Sequence, residues 1–395
     1  MNVLICHNRY LAPGGEDVAA DAEARLLTER GHRVARWTVT NEAISEAGPV
    51  GKARIALGTV WSGASYASMR SELRRLQPEV VHFHNTFPLL SPAVYYACRA
   101  EGVPVVQTLH NYRLLCPAAT FFRQGRICEE CTGIGGPWRG VVHGCYRDSR
   151  AHTAVVASML SVHRAAGTYR ELVDVYIALT DFARERFIAG GLPASRVVVK
   201  PNFVEAGNGD RKHAGNFALY VGRLSPEKGV RTLVRAWREI GTNVPLQLVG
   251  SGALDAELRR LASDLPHVEL RGQLPRDEVA RLIGSAALLV FPSEWYEGLS
   301  LVLLEALAAA TPIVASHLSS LDDVVEEGVN AWRFHAGDPQ SLAHRVREAW
   351  RSPEERVRRG AASRRRYESR FTPEANHAQL MAIYEQARAR RSSPS

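Results

Sequence analysis

The sequence predicts an α/β protein built from two doubly wound parallel sheets, and three observations carry that prediction. Short apolar runs alternate with helical patterns through both halves of the chain, and many of those runs end in a turn bearing glycine or histidine. A polar stretch without periodicity separates the two series. Open parallel sheets take ligands at the carboxyl ends of their strands, so functional residues are sought in the turns that follow strands.

The first half opens with a strand over Val3–His7 and a loop containing Pro13-Gly14-Gly15. A helix follows: Glu16 and Asp17 suit its first turn, Val18, Ala22, Leu26 and Leu27 recur on one face, and Gly31 closes it. Strands are expected at Val34–Val39, Val80–His84 and Val103–Leu109, with a helix over Ala93–Ala100 between the last two. The second half repeats the scheme. Its strands are Phe217–Val221, Leu246–Val249, Val268–Arg271, Ala287–Phe291 and Pro312–Ala315. Helical stretches separate them at Val230–Ile240, Leu254–Leu265, Asp277–Gly284 and Leu301–Ala310. The run from Glu205 to Asn216 reads as the linker, giving an expected first domain of residues 1–205, a second of 206–372, and a terminal segment 373–395 with a helix over Pro373–Arg390.

Composition narrows the class. Of 395 residues, 46% are hydrophobic and 23% charged, which excludes disordered and fibrous chains. The longest apolar stretches, Leu301–Ser316 and Ala151–Val162, are broken by Glu305 and His152 and fall short of the roughly 20 residues of a membrane span. No basic region followed by a small-residue cleavage site opens the chain, so we expect no signal peptide and a cytoplasmic location. The net charge of +8 is unevenly placed: residues 1–205 hold 23 basic and 18 acidic side chains, 206–344 hold 13 and 17, and 345–395 hold 13 and 6. Basic ends around an acidic middle suit an anionic partner, either a phosphorylated substrate, anionic lipid headgroups or nucleic acid. A nucleic-acid-binding surface is disfavoured, because aromatic residues are not interleaved with the basic runs and the Arg364-Arg365-Arg366 cluster is local. A dinucleotide oxidoreductase is disfavoured too, since no Gly-x-Gly-x-x-Gly opens either sheet.

Three segments of the second half carry phosphate chemistry. Gly222-Arg223-Leu224-Ser225-Pro226-Glu227-Lys228-Gly229 lies between a strand and a helix, where two cations can converge on one diphosphate at a helix N-terminus. Gly250-Ser251-Gly252 offers a close backbone approach after the next strand. The third segment ends in Glu297-Gly298-Leu299-Ser300, with Glu297 in the turn and Glu305 inside the following apolar helix, where a carboxylate needs a hydrogen-bonding partner such as a ribose.

These motifs, in this order, resemble the retaining glycosyltransferases of family GT4. The resemblance extends over nearly the whole chain, including the Pro13-Gly14-Gly15 loop, and implies a GT-B fold of two Rossmann-like domains facing across a cleft. It implies that Arg223 and Lys228 hold the donor diphosphate, that Glu305 holds the ribose, and that Glu297 meets the donor sugar. Gly14, Gly15, Gly222, Gly250, Gly298, Leu299 and Ser300 complete the expected donor site. Ser300 stands where many members carry glycine. The implied donor is a nucleotide-sugar, taken as a UDP-sugar, and the implied chemistry is a front-face transfer in which the β-phosphate receives the acceptor's proton. No Asp-x-Asp metal motif occurs, so no cofactor is expected for catalysis.

On the acceptor side, His110 and Asn111 leave the strand ending at Leu109, and His84 and Asn85 leave the strand before it. The resemblance places His110 beside the donor sugar, and His84, Asn85 and Asn111 are expected near the acceptor. Between His110 and the next long helix lies an insert, residues 111–150, with Cys116, Cys128, Cys131 and Cys145. Its Cys-x-x-Cys core approximates a structural zinc site. Trp138, Arg139, Tyr146, Arg147 and Arg150 flank an apolar helix over Thr153–Leu160, a pattern that suits either core packing or contact with an anionic membrane surface. The acceptor is therefore a glycan, lipid-linked or small; a polysaccharide or glycolipid product is favoured over a soluble aminocyclitol or other natural product.

Overall fold

The computed structural model describes residues 1–11, 14–45, 48–206 and 215–392; Pro13 of the first loop and residues 207–214 of the expected linker lie outside them. The chain divides into two compact units: Met1–Phe121, Cys128–Asn202 and Asn376–Ser395 form the first, Phe122–Ile127 and Phe203–Ala375 the second.

The first unit holds a sheet of β1 (Asn2–Arg9), β2 (Arg33–Thr40), β3 (Val80–Asn85), β4 (Val105–Leu109), β5 (Val175–Ala178) and β6 (Val197–Val199). Its order is β2-β1-β3-β4-β5-β6 and every pairing is parallel. The chain leaves β1 to one side and returns to the other at β3, so the switch point lies between those two strands. Helix α1 (Gly15–Glu29) connects β1 to β2. Val3, Ile5, Val80, Val106, Val175 and Ile177 pack against Ala24 and Leu27 of α1, which is why the central strands read as nearly unbroken apolar runs. The same cluster takes Leu380, Ile383, Tyr384 and Ala387 from the far end of the chain. Two exposed helical segments went unread in the sequence, among them α2 (Pro49–Val60), which buries little besides Thr59. Helix α3 (Arg150–Ala165) follows the cysteine insert.

The second unit's sheet holds β7 (Ala218–Val221), β8 (Leu246–Val249), β9 (Val268–Gly272), β10 (Leu288–Phe291), β11 (Ile313–Ser316) and β12 (Ala331–Phe334). Its order is β9-β8-β7-β10-β11-β12, again wholly parallel, with the switch point between β7 and β10. Helix α4 (Val230–Ile240) buries Leu233 and Trp237 in one core, and α5 (Leu301–Ala308) buries Leu303, Leu304 and Leu307 in another. Tyr367 of α6 (Pro353–Arg370) joins the second core, and so does Ile127 from a short hairpin inside the insert. Helix α7 (Pro373–Ser392) carries the residues that complete the first unit. Among the described residues no helix is long and apolar enough to cross a membrane.

Candidate active site

In the second unit, two glycines set the backbone at the switch point. Gly250 has φ +139°, and a side chain on it would put a Cβ 1.9 Å from the carbonyl oxygen of Gly222, so the turns after β7 and β8 touch backbone to backbone. Gly229, at φ +66°, starts α4 with the Pro292 carbonyl 1.8 Å from where a Cβ would sit. That contact draws the turn after β10 onto the Lys228 turn. Lys228 Nζ consequently lies 2.7 Å from Glu297 Oε1, with both side chains largely buried. The same oxygen accepts hydrogen bonds from Ser293 Oγ and, at 2.7 Å, from Trp295 Nε1. The Lys228 ammonium also stands 5.2 Å from the Trp295 ring centre.

Arg223 is different. Its side chain is 69% exposed and only loosely held, 3.4 Å from Glu227. Glu305 lies on α5, as the sequence places it, and faces Arg276 at 3.8 Å. Burial raises its carboxyl above the ordinary range, with Arg276 pulling the other way. Gly298, Leu299 and Ser300 form the entry to α5, with Ser300 as the residue before its first turn.

In the first unit, the switch point gathers residues from β1, α1, β3 and β4. The oxygens of two side-chain amides are occupied by backbone donors: Phe87 N–H donates to Asn85 Oδ1 and Arg113 N–H to Asn111 Oδ1, both at 3.0 Å. Asn111 Nδ2 then donates to Glu16 Oε2 at 3.1 Å, whereas Asn85 Nδ2 donates to the Asn8 carbonyl at 2.8 Å and reaches Glu16 Oε1 only at 3.5 Å. The Tyr10 hydroxyl also bonds to this carboxyl. Burial pushes Glu16 up to about 7, opposed by His7 and assisted by Asp17. Gly14 begins α1 through its N–H on Asp17 Oδ2 at 2.7 Å, and Asp17 Oδ1 meets His7 at 2.8 Å.

Beneath them runs a buried polar chain. Lys200 Nζ is 2.8 Å from Glu23 Oε2, His82 Nδ1 is 3.0 Å from Glu23 Oε1, and His84 Nε2 is 3.6 Å from the same oxygen. His84 Nδ1 meets His110 Nε2 at 2.9 Å. Burial alone would raise Glu23, but Lys200, His82 and His84 outweigh it and hold the carboxyl well below its usual range. At 3.6 Å His84 Nε2 makes no hydrogen bond to Glu23, so the one hydrogen between His84 Nδ1 and His110 Nε2 belongs to either ring. Burial, with His7 nearby, pushes His110 down to about 3, so the ring is neutral. His84, expected near the acceptor, is buried, with its Nδ1 on His110. Glu23, His82 and His84 are the one set of metal-competent side chains with ligand atoms within 4.8 Å among the described residues, and the Lys200 ammonium already supplies the positive charge there.

A cavity of about 40 Å³ lies beside His84, Asn85, His110 and Asn111, enough for roughly one water. A larger one of about 290 Å³ shares Phe87 with it and is lined by Leu11, Ile44, Ile55, Val155 and Val156, with Lys52, Arg147 and His152 among its walls. In the insert, Cys116 and Cys131 are buried, Cys128 and Cys145 half-buried, and all four are thiols. Burial, then the neighbouring Cys116 thiol, pushes Cys131 up to about 12, with Cys145 and Cys128 adding to it and the Gly140 N–H opposing.

Two family models tile this sequence: that of "Glycosyltransferase Family 4" matches residues 13–207 and that of "Glycosyl transferases group 1" matches residues 206–366. The chain belongs to glycosyltransferase family 4. Relatives of this family 4 chain include the amylovoran biosynthesis glycosyltransferase AmsK of Erwinia amylovora, 26% identical over 54% of this chain and 56% of that one. The glycogen synthase of Mycobacterium tuberculosis is 32% identical over 75% of this chain and 66% of that one. The chain spans about half the length of the curated relatives it matches. Among solved structures, Anabaena Alr3699/HepE in complex with UDP superposes with a TM-score of 0.70 at 16% identity, covering 98% of this chain and 100% of that one. That likeness shows the GT-B fold.

Sequence reasoning placed Lys228, Glu297 and Glu305 on the elements where they stand, and His110 and Asn111 at the end of β4. It missed Glu16, which it used only as a helix-start signal, and it missed Glu23 and Lys200. The signal for Glu16 was available: an acidic residue directly after a Gly-Gly turn that follows a central strand.

Proposed function

We propose that this glycosyltransferase moves a sugar from a nucleotide diphosphate, a UDP-sugar, to an acceptor hydroxyl with retention of configuration at the anomeric carbon. The observation that carries the reading is the Lys228–Glu297 pair at the switch point of the second sheet. Complexes of the similar Anabaena protein with UDP and UDP-glucose support the choice of nucleotide.

In this reading Lys228, Arg223 and the amides of Gly298, Leu299 and Ser300 at the entry to α5 neutralise the diphosphate. That is electrostatic catalysis, because it stabilises charge that grows as the donor breaks. Gly222 and Gly250 keep side chains out of the way of the phosphates, and Glu305 accepts the ribose hydroxyls. Glu297 fixes Lys228 and meets the donor sugar. His110 hydrogen-bonds a sugar hydroxyl through Nδ1. The bond between the anomeric carbon and the β-phosphate oxygen breaks, the acceptor oxygen bonds to the same face of that carbon, and the acceptor proton passes to the departing phosphate.

The product assigned to the reaction is a cell-surface polysaccharide or glycolipid, in keeping with the name of the Erwinia relative. A lipid-linked acceptor is favoured over a soluble one by the 290 Å³ apolar cavity with cationic side chains in its walls. Exposed Val50 and Leu57 on α2, beside Lys52, support contact of a cytoplasmic protein with the inner face of an anionic membrane. The zinc expected in the insert lacks a matching ligand set: among the described residues no three of Cys116, Cys128, Cys131 and Cys145 bring their sulfurs within 4.8 Å of one another.

The test is incubation with a panel of nucleotide-sugars and of lipid-linked and soluble acceptors, with mass spectrometry of released nucleotide and product. UDP should raise the melting temperature of the wild type by more than that of Arg223→Ala. Oligonucleotide binding that UDP fails to displace, with no sugar transfer, overturns the reading.

A further inference from the structure

The cysteine insert takes no part in the reaction just described. Yet among the described residues it carries three of the ten large apolar side chains that stand exposed: Ile134, Trp138 and Val142. Ile134, 92% exposed, sits between Gly133 and Gly135. Trp138 and Val142 lie one turn apart on the short helix Trp138–His143. Gly140, on the opposite side of that helix, fixes their direction. A Cβ there would meet Pro117 Cγ at 3.1 Å and Thr153 Cγ2 of α3 at 3.5 Å. The helix therefore lies flush on α3 through its glycine, and its two apolar side chains turn to solvent.

The face continues across α3 and α2. Trp138 Nε1 donates to Ser161 Oγ at 3.0 Å on one flank of α3, and the Trp61 ring lies 6.4 Å from that of His163 on the other. Val162, exposed, stands between the two flanks. Trp61 ends α2, which packs on α3 and exposes Val50 and Leu57, so seven of the ten exposed apolar side chains share one patch. None of the three helices contains an Asp or Glu. Their Lys52, Arg54, Arg139 and Arg150 are exposed, and none of these forms an ion pair among the described residues. Arg364 and Arg366 of α6, by contrast, are tied to Glu368 and Glu326. The acids bordering the patch are Glu130, 3.3 Å from His143, and Asp148, which Arg147 and Arg150 bracket in the chain.

We propose that the insert, with α3 and α2, docks the protein on an anionic lipid surface: Ile134, Trp138 and Trp61 enter the headgroup layer, and the four cations meet lipid phosphates. Other occupants fit this chemistry less well. A second copy related by a twofold axis would set unpaired cations against themselves. Nucleic acid would satisfy the cations and leave Ile134, Val142 and Val162 without a partner, since branched aliphatic side chains do not stack on bases. A boundary with phosphate outside and hydrocarbon beneath takes both kinds of side chain, and tryptophan prefers that boundary. The docking face rests on the membrane contact of the proposed function, and it gives the insert a task that the transfer chemistry does not.

The experiment is co-sedimentation of the full chain with vesicles of phosphatidylcholine alone, or with a quarter of it replaced by phosphatidylglycerol. The wild type should bind the anionic vesicles, come off as salt is raised, and have its tryptophan emission quenched by brominated lipid tails. Ile134→Ser combined with Trp138→Ser should weaken binding about tenfold or more, with melting temperature and UDP affinity unchanged. Arg139→Glu combined with Arg150→Glu should do so by a similar factor. Val357→Ser, which removes an exposed apolar side chain from α6 of the second unit, should leave vesicle binding as it is. No binding by the wild type, equal binding to neutral and anionic vesicles, or full binding by the insert variants overturns the proposal. In the last case, loss of binding in Leu57→Ser keeps the membrane contact on α2 and removes the insert from it. Self-association or oligonucleotide binding that Arg139→Glu abolishes, without vesicle binding, gives the face another occupant and overturns the proposal equally. UDP binding and transfer to a soluble acceptor decide the sugar-transfer reading on their own.

Discussion

Lys228 and Glu297 lie 69 residues apart in the chain and meet ammonium to carboxylate at 2.7 Å, where β7 and β10 part company. The pair is shielded enough that neither member can be removed quietly. Lys228→Ala leaves the Glu297 carboxylate without its main counter-charge and should destabilise the fold by about 3 kcal/mol. It should also cut turnover on the order of a hundredfold, as loss of a donor to developing charge does. Glu297→Gln keeps the shape and should retain UDP binding while losing turnover. Denaturant melts and steady-state kinetics separate the two outcomes.

Arg223 should behave in the opposite way. Because its side chain is 69% exposed, Arg223→Ala should shift stability by no more than about 0.5 kcal/mol. UDP affinity, read by calorimetry, should fall about tenfold or more, since a charge-assisted contact to phosphate is lost. A variant that melts early yet binds UDP normally would count against the assignment.

Glu305→Ala should weaken donor binding, whereas His110→Ala should chiefly slow turnover. The two are distinguished by KM for the donor against kcat. Equal donor affinity in Glu305→Ala and wild type removes the ribose assignment.

The pH dependence follows from two groups. His110, held neutral down to about 3, contributes no limb between pH 5 and 9. Glu16 is raised from 4.5 to about 7 in surroundings that include His7 of β1, Asp17 of α1, Tyr10 after β1 and Arg113 after β4. The fold prefers its protonated form, so its stabilising contribution is complete below about 4.5 and is lost as pH rises through 7. Glu16→Gln should remove that pH dependence of stability and melt no lower than wild type at pH 8, as thermal melts at pH 5 and pH 8 would show.

The insert makes a separate prediction. Because its four cysteines do not gather into a ligand set, elemental analysis of protein purified without chelator should find no stoichiometric zinc, and a chelator should leave the melting temperature unchanged. About one zinc per chain, lost in Cys131→Ser, would overturn this.

The fold was legible where local pattern and tertiary role coincide. Val230–Ile240 was read at its true bounds because one strongly apolar face, with Leu233 and Trp237, meets the sheet. Strands as short as Val197–Val199 and Ala331–Phe334 escaped, since three or four apolar residues carry no period of their own. The candidate site divides in the same manner. The Lys228 turn and Glu297 are announced by glycines and by the helices they precede. Glu23 and Lys200, 177 residues apart, form an ion pair that no local spacing encodes. Glu16 was visible but ambiguous, since an acid in a first turn satisfies helix chemistry and conceals any other task.

Helix α7 supplies Leu380, Ile383, Tyr384 and Ala387 to a core whose other members begin at Val3. During synthesis the first sheet therefore emerges from the ribosome long before the residues that cover one of its faces. The second unit, by contrast, can close upon itself as soon as residue 375 is out. The half of the enzyme made first is the half finished last, and in the interval a nascent apolar surface needs shelter.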